Sequence, residues 1–166
     1  MSLLNKVAES GIITINLEDY LSQQEIVVFD MKPFLFKELI LKEKEFRTQL
    51  KEHNWTQYQD KTVAVFCSTD AIIPKWAYML VAQYLIKVTP QIYFDTKESL
   101  EQKLLLQNIQ SINATNFIDE RIVIKGCGNN KVKEAAFIEI SKKLIPVVKS
   151  LFFGEACSTV PIYKKK

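Results

Sequence analysis

Three cysteines are the residues best suited to chemistry in this chain, and all three follow apolar runs of similar design. Thr62-Val63-Ala64-Val65-Phe66 leads directly to Cys67, and Arg121-Ile122-Val123-Ile124-Lys125 leads through Gly126 to Cys127. Ser150-Leu151-Phe152-Phe153 is followed shortly by Cys157, and Cys-Ser-Thr occurs both at Cys67 and at Cys157. Short runs rich in β-branched side chains read as strands buried on both faces. In a parallel sheet all carboxyl ends share one edge, and ligands of open α/β sheets bind there, where successive connections leave to opposite faces. If the Thr62 strand lies between the Gln91 and Arg121 strands, Cys67 and Cys127 flank such a point. Cys157 then arrives from the next strand.

Three convergent thiolates would hold zinc or an iron–sulfur cluster, with a fourth ligand from Asp, Glu, His or solvent. Asp70 is the leading fourth ligand, and Glu155 lies near Cys157. A second reading is a redox or persulfide-carrying thiol. Ser68, Thr69 and Asp70 would cap the following helix, and a helix N-terminus lowers a thiol pKa. Gly126 and Gly128 would let the backbone around Cys127 approach a bound group. The third reading is that the cysteines are small buried hydrophobes. No CxxC or HExxH spacing decides among the three. His53, the one histidine, sits in the polar link Glu52-His53-Asn54-Trp55 and reads as a surface or helix-end residue.

Composition narrows the field. A hydrophobic share of 48% and a charged share of 25% over 166 residues fit a globular domain, and the formal charge is only +3. Part of that charge is the Lys164-Lys165-Lys166 tail, expected to fray. No basic face alternating with aromatics points to nucleic acid, and no apolar stretch approaches the roughly 20 residues of a membrane span. Met1 to Ser10 lacks the layout of a signal peptide. The expected location is therefore the cytoplasm, where cysteines stay reduced or bind metal. Only four glycines occur, too few for a phosphate cradle, so a nucleotide cofactor is not expected.

The elements that must position the cysteines follow in order. Ile12–Asn16 and Glu25–Asp30 read as an antiparallel pair, an N-terminal extension occupying residues 1–41. Glu43–Glu52 reads as an amphipathic helix with Phe46 and Leu50 inward and a Glu43/Arg47 pair outward. From Lys61 a β-α alternation sets in. Its strands are Thr62–Phe66, Gln91–Phe94, Arg121–Lys125 and Ser150–Phe153, and its helices begin near Pro74, Lys97 and Lys133. Trp76, Met79, Leu80, Gln83 and Tyr84 share helical spacing, and the aromatic positions read as core. Alternating elements with apolar strands imply a mainly parallel sheet of about four strands with helices on both faces. The expectation is one α/β domain over 1–166, with a core βαβαβαβ unit at 61–160.

Several of these motifs recur together in one known family. Trp55-Thr56-Gln57-Tyr58-Gln59-Asp60-Lys61, Cys67 to Pro74, Trp76 to Leu80, Val123 to Cys127 and Gly154 to Pro161 are the residues concerned. With them the chain resembles an uncharacterised family of Bacteroidetes proteins, the domain of unknown function 2480 (DUF2480), over nearly its whole length. The resemblance implies a role in iron–sulfur cluster biogenesis, with iron–sulfur assembly proteins as partners. The reading that combines these strands is a small metal- or cluster-binding accessory protein using Cys67, Cys127, Cys157 and Asp70. A non-catalytic protein-interaction domain with buried cysteines and a thiol-based sulfur-transfer protein are its alternatives.

Overall fold

Strands and helices alternate through most of the computed structural model, which describes residues 11–126, 128, 130–155 and 157–166. In chain order the elements are β1 (Ile12–Asn16), β2 (Ile26–Asp30), α1 (Glu43–Glu52), β3 (Thr62–Phe66) and α2 (Lys75–Leu85). There follow β4 (Ile92–Phe94), α3 (Lys97–Gln110), β5 (Arg121–Lys125), α4 (Glu134–Leu144), β6 (Ser150–Glu155) and β7 (Ser158–Lys164). The protein is a mixed α/β fold, and its strands form two sheets. One has the order β1-β5-β6-β7 and the other β2-β3-β4. All pairings are parallel except β6 with β7.

Two expectations change here. β1 and β2 do not pair with each other; each joins a different sheet in parallel, β1 against β5 and β2 against β3. The strand order assumed around Thr62 changes too. β3 lies between β2 and β4, whereas β5 lies between β1 and β6. The physical reason is that each N-terminal strand is apolar enough to be a sheet member. Ile15 and Phe29 are buried, so each strand, although it lies at an edge of its sheet, contributes to a core. β7 is an addition: Lys164 ends it, and the Lys165 amide donates to the Lys149 carbonyl at 2.8 Å.

The chain divides into two compact units, one of residues up to Ser22 with Glu101–Lys166, the other of Gln23–Leu100. The second is thus inserted within the first. Each has its own core. In the inserted unit Phe46 and Leu50 of α1 and Ala77, Val81 and Leu85 of α2 pack with Phe29, Val63 and Val65. In the outer unit Leu105 and Ile109 of α3 and Ala136, Ile140 and Leu144 of α4 pack with Ile15, Ile122 and Ile124. Each fully buried leucine or isoleucine contributes about 1.5–3 kcal/mol relative to exposure.

The two cores occupy equivalent positions. One fixed offset carries Phe46 to Leu105, Leu50 to Ile109, Val63 to Ile122, Ala77 to Ala136, Val81 to Ile140 and Leu85 to Leu144. It also carries Lys75–Leu85 onto Glu134–Leu144. The turn before the central strand repeats atom for atom. Asn54 Oδ1 accepts from the Thr56 amide and hydroxyl at 3.2 and 2.6 Å, and Asn113 Oδ1 accepts from those of Thr115 at 3.1 and 2.6 Å. Asp60 and Asp119 both have φ of 57°. Their amides donate to the carbonyls of Val88 and Val147, at 3.1 and 2.9 Å. Strand registers match as well: Ile26 and Ile12 face Thr62 and Arg121, and Val63 and Ile122 face Ile92 and Leu151. The protein is therefore an internal repeat of one β-α-β-α-β unit, with one copy threaded into the other. β7 has no counterpart in the inserted copy.

Candidate functional site

Cys67 is the first residue beyond β3, half-buried at the rim of the inserted unit's core. The loop that carries it is pinned by Asp30, the last residue of β2. Asp30 Oδ1 accepts from the amides of Ser68 and Lys32, each at 3.0 Å, and Oδ2 accepts from the Ser68 hydroxyl. Partial burial pushes the Asp30 carboxyl up, but the Ser68 and Lys32 hydrogen bonds and the Lys32 charge outweigh it. The net result is a pKa below the ordinary aspartate value. Asn16, the equivalent residue of β1, accepts from the Glu18 amide at 3.1 Å.

Ser68, Thr69 and Asp70 do not cap α2. The helix begins at Lys75 after an irregular stretch, its N-cap is Pro74, and no side chain caps it. Cys67 accordingly lacks the helix N-terminus that would have activated it. Asp70 is exposed in the same loop. Tyr78 of α2 is held above the ordinary tyrosine pKa by burial, with the Cys67 thiol adding to the effect.

Cys157 lies in the other unit, exposed at the tip of the β6–β7 hairpin, where Glu155 pairs with Ser158. Gly154 makes this turn feasible. Its φ is +120°, and a Cβ there would stand 2.6 Å from the Ser158 carbonyl oxygen. Glu155 pairs with Lys125 at 3.3 Å. Cys127 falls outside the described residues. Cys67 and Cys157 thus belong to different sheets, and the strand order that would have gathered three cysteines on one sheet edge is not the observed one. Among the described residues no group of three or more His, Cys, Asp or Glu side chains is placed to hold a metal ion.

His53 is the C-cap of α1, at the helix end where its sequence position put it. It is also enclosed by aromatic rings, with Trp55 at 4.9 Å, Phe34 at 5.3 Å, Phe29 at 5.6 Å and Tyr58 at 5.8 Å between centroids. Nε2 is 3.0 Å from the Tyr58 hydroxyl. Burial lowers the His53 pKa and raises that of Tyr58, so the pair is neutral near pH 7. The outer copy has Ile112 and Ala114 where this one has His53 and Trp55.

The surface that sequence periodicity misread is on α2. The aromatic positions of this helix, Trp76 among them, read as core from the sequence, yet the buried stripe is Ala77, Val81 and Leu85. Small Ala77, fully buried, marks the side facing the sheet. Trp76 is 36% exposed, Met79 72% and Ile72, just before the helix, 95%. Trp76, Met79 and Leu80 line a cleft of about 370 Å³ with Glu43 and Arg47 of α1. Arg47 is held by Glu43 at 3.0 Å, and its guanidinium carbon stands 5.8 Å from the Trp76 ring centroid. From Ala71 to Pro90 the charged residues are Lys75 and Lys87, with no carboxylate among them.

Comparison with known proteins gives a family and no activity. The chain belongs to the family described as protein of unknown function DUF2480, whose sequence profile matches residues 1–165. No curated protein and no solved structure matches it. Among the described residues no helix is long and apolar enough to cross a membrane.

Proposed function

We propose that this protein is a non-catalytic binding module, and that the outer face of α1 and α2 receives a segment of a partner protein. The observation that carries this reading is the exposed Trp76–Met79 pair beside Arg47, with exposed Ile72 shortly before it in the chain. Trp and Arg dominate the energetics of protein interfaces, and Met is enriched there. A structural role does not require an exposed tryptophan and an almost fully exposed isoleucine. On the α2 side the absence of carboxylates from Ala71 to Pro90 suits a partner that is apolar at its centre and acidic at the margin that meets α2, Glu43 on the α1 side being paired with Arg47.

A direct test uses a synthetic amphipathic helix with Leu and Phe on one face and Asp and Glu on the other. It is titrated against a Trp55→Phe variant, so that Trp76 emission is the readout. A blue shift that saturates, and is abolished by Met79→Glu, is the expected result. Equal binding of a helix with Lys in place of the acids would overturn the charge argument. Binding to anionic vesicles in place of the peptide would overturn the protein-partner reading.

The metal or iron–sulfur reading of Cys67, Cys127, Cys157 and Asp70 makes a competing prediction on the same protein. A binding module prepared anaerobically is expected to carry far less than one zinc or iron per chain, unchanged by Cys67→Ser. One equivalent per chain, lost in Cys67→Ser and in Cys127→Ser, would replace our reading with that of a cluster-biogenesis accessory protein. Exposure further predicts that Cys157 is alkylated faster than half-buried Cys67, as peptide mass spectrometry would register. Equal rates would contradict this.

A further inference from the structure

The internal repeat supplies its own control for one edge of the protein. β6 and β4 are equivalent strands, each the third of three parallel strands. In the outer unit β7 covers the far edge of β6 in antiparallel pairing, with Phe153 opposite Val160. In the inserted unit no described strand covers the far edge of β4. Phe94, which the repeat equates with Phe153, is 71% exposed. The equivalence extends to the supporting helix, since Tyr78 meets Phe94 edge-on at 5.3 Å and Phe137 meets Phe153 edge-on at 5.7 Å.

The backbone has the right phase. Val63 donates to the Gln91 carbonyl at 2.8 Å, and Asp95 donates to that of Val65 at 3.1 Å. In a parallel ladder alternate residues face the partner, so the N–H and C=O of Phe94 point away from β3. Most of the devices that blunt natural edges are lacking too, although β4 is short, at three residues. β7, the outer edge of its own sheet, carries Pro161, Lys164 and a register shift. β4 is Ile92-Tyr93-Phe94, without proline, charge or bulge, and edge strands of that kind accept other strands.

We infer that the outer edge of β4 docks an extended segment of a partner protein, added antiparallel as β7 is added to β6. The repeat specifies the chemistry of that segment: a β-branched residue with a free amide opposite Phe94, as Val160 stands opposite Phe153, and an aromatic opposite Ile92, as Tyr163 stands opposite Leu151. Main-chain hydrogen bonds supply affinity in strand addition, and alternate side chains supply selectivity. This edge is a second site, independent of the α2 face.

The test uses the full chain and a synthetic peptide with the Ser158–Lys164 sequence, its ends blocked. Amide hydrogen exchange at Phe94, followed by NMR, is expected to slow about tenfold at saturation. A peptide N-methylated at its valine, and the Phe94→Pro variant, should each abolish binding; the methylated peptide leaves the protein untouched and so does not depend on the variant folding. Unchanged exchange at peptide concentrations up to about 1 mM would overturn the inference, since such a contact would be weaker than about −4 kcal/mol. So would a Phe94 amide already as protected as Val65 in the free protein, or protection appearing at Val28 on the opposite edge.

Discussion

Replacing Phe29 by alanine is expected to cost about 3–5 kcal/mol of folding stability, the usual range for a buried aromatic truncated to a methyl. Phe29 is 1% exposed and lies between two rings, stacked with Phe34 at 5.0 Å and with Trp55 at 5.3 Å. His53 and Tyr58 meet it edge-on at 5.6 and 6.0 Å. Deleting the ring therefore opens a cavity whose lining belongs to four other residues, and rigid aromatic walls collapse poorly. The outer repeat has Ile15 at the equivalent place, but without the aromatic nest. Phe29→Ile should consequently remain destabilising, by less than Phe29→Ala. Urea unfolding midpoints at constant slope measure both. A loss below about 1 kcal/mol for Phe29→Ala would mean that the nest does not pack as described.

The second large effect is expected at Asp30. Its carboxylate accepts from two amides and a hydroxyl, and it ties the Cys67–Ser68 loop to the end of β2. Asp30→Ala leaves those donors to whatever water reaches them, at a cost of about 1–3 kcal/mol. Asp30→Asn should cost much less, because Asn16 serves the equivalent role in the other copy. The two variants also separate by pH. The folded pKa of Asp30 is below its unfolded value, so the unfolded chain takes up this proton first as pH falls. The stabilisation is complete above the unfolded value of about 3.9 and is lost as pH falls through the folded one. Asp30→Asn should flatten that part of the acid limb. An unaltered limb would assign the acid sensitivity to other carboxylates.

The repeat explains what could be read from the sequence and what could not. Strands and helices were legible because each has a strong local period: Thr62–Phe66, Arg121–Lys125 and Glu43–Glu52 fall where the pattern puts them. Pairing was not legible, because nothing in the apolar run Ile12–Asn16 says that its partner is Arg121–Lys125 and not the nearby Ile26–Asp30. A signal was present all the same. Asn54-x-Thr56-x-Tyr58-x-Asp60 and Asn113-x-Thr115-x-Phe117-x-Asp119 are one motif read twice, and a search for internal similarity would have put the two halves in register. The α2 face was misread for a different reason. A helix with apolar residues on more than one side has no unique inward stripe, and spacing alone does not rank Trp76 below Ala77 as a core residue. Where a helix lies close to a sheet, the small residue is the better guide, and Ala77 and Ala136 occupy that position in the two copies.

Threading one copy into the other also bears on how the protein is made. β1 leaves the ribosome before the inserted copy, but its partner β5 follows only after the whole of Gln23–Leu100 has been synthesised. The inserted copy has all its strands and helices by then, and can condense while β1 waits. Once it has done so, the segment between β1 and α3 is no longer a long flexible loop whose ends must find each other, and closure costs correspondingly less conformational entropy. Translation order and topology together let the inner copy fold before the outer one closes. Lesions in the nest around Phe29 should therefore delay the outer sheet as well as weaken the inner one.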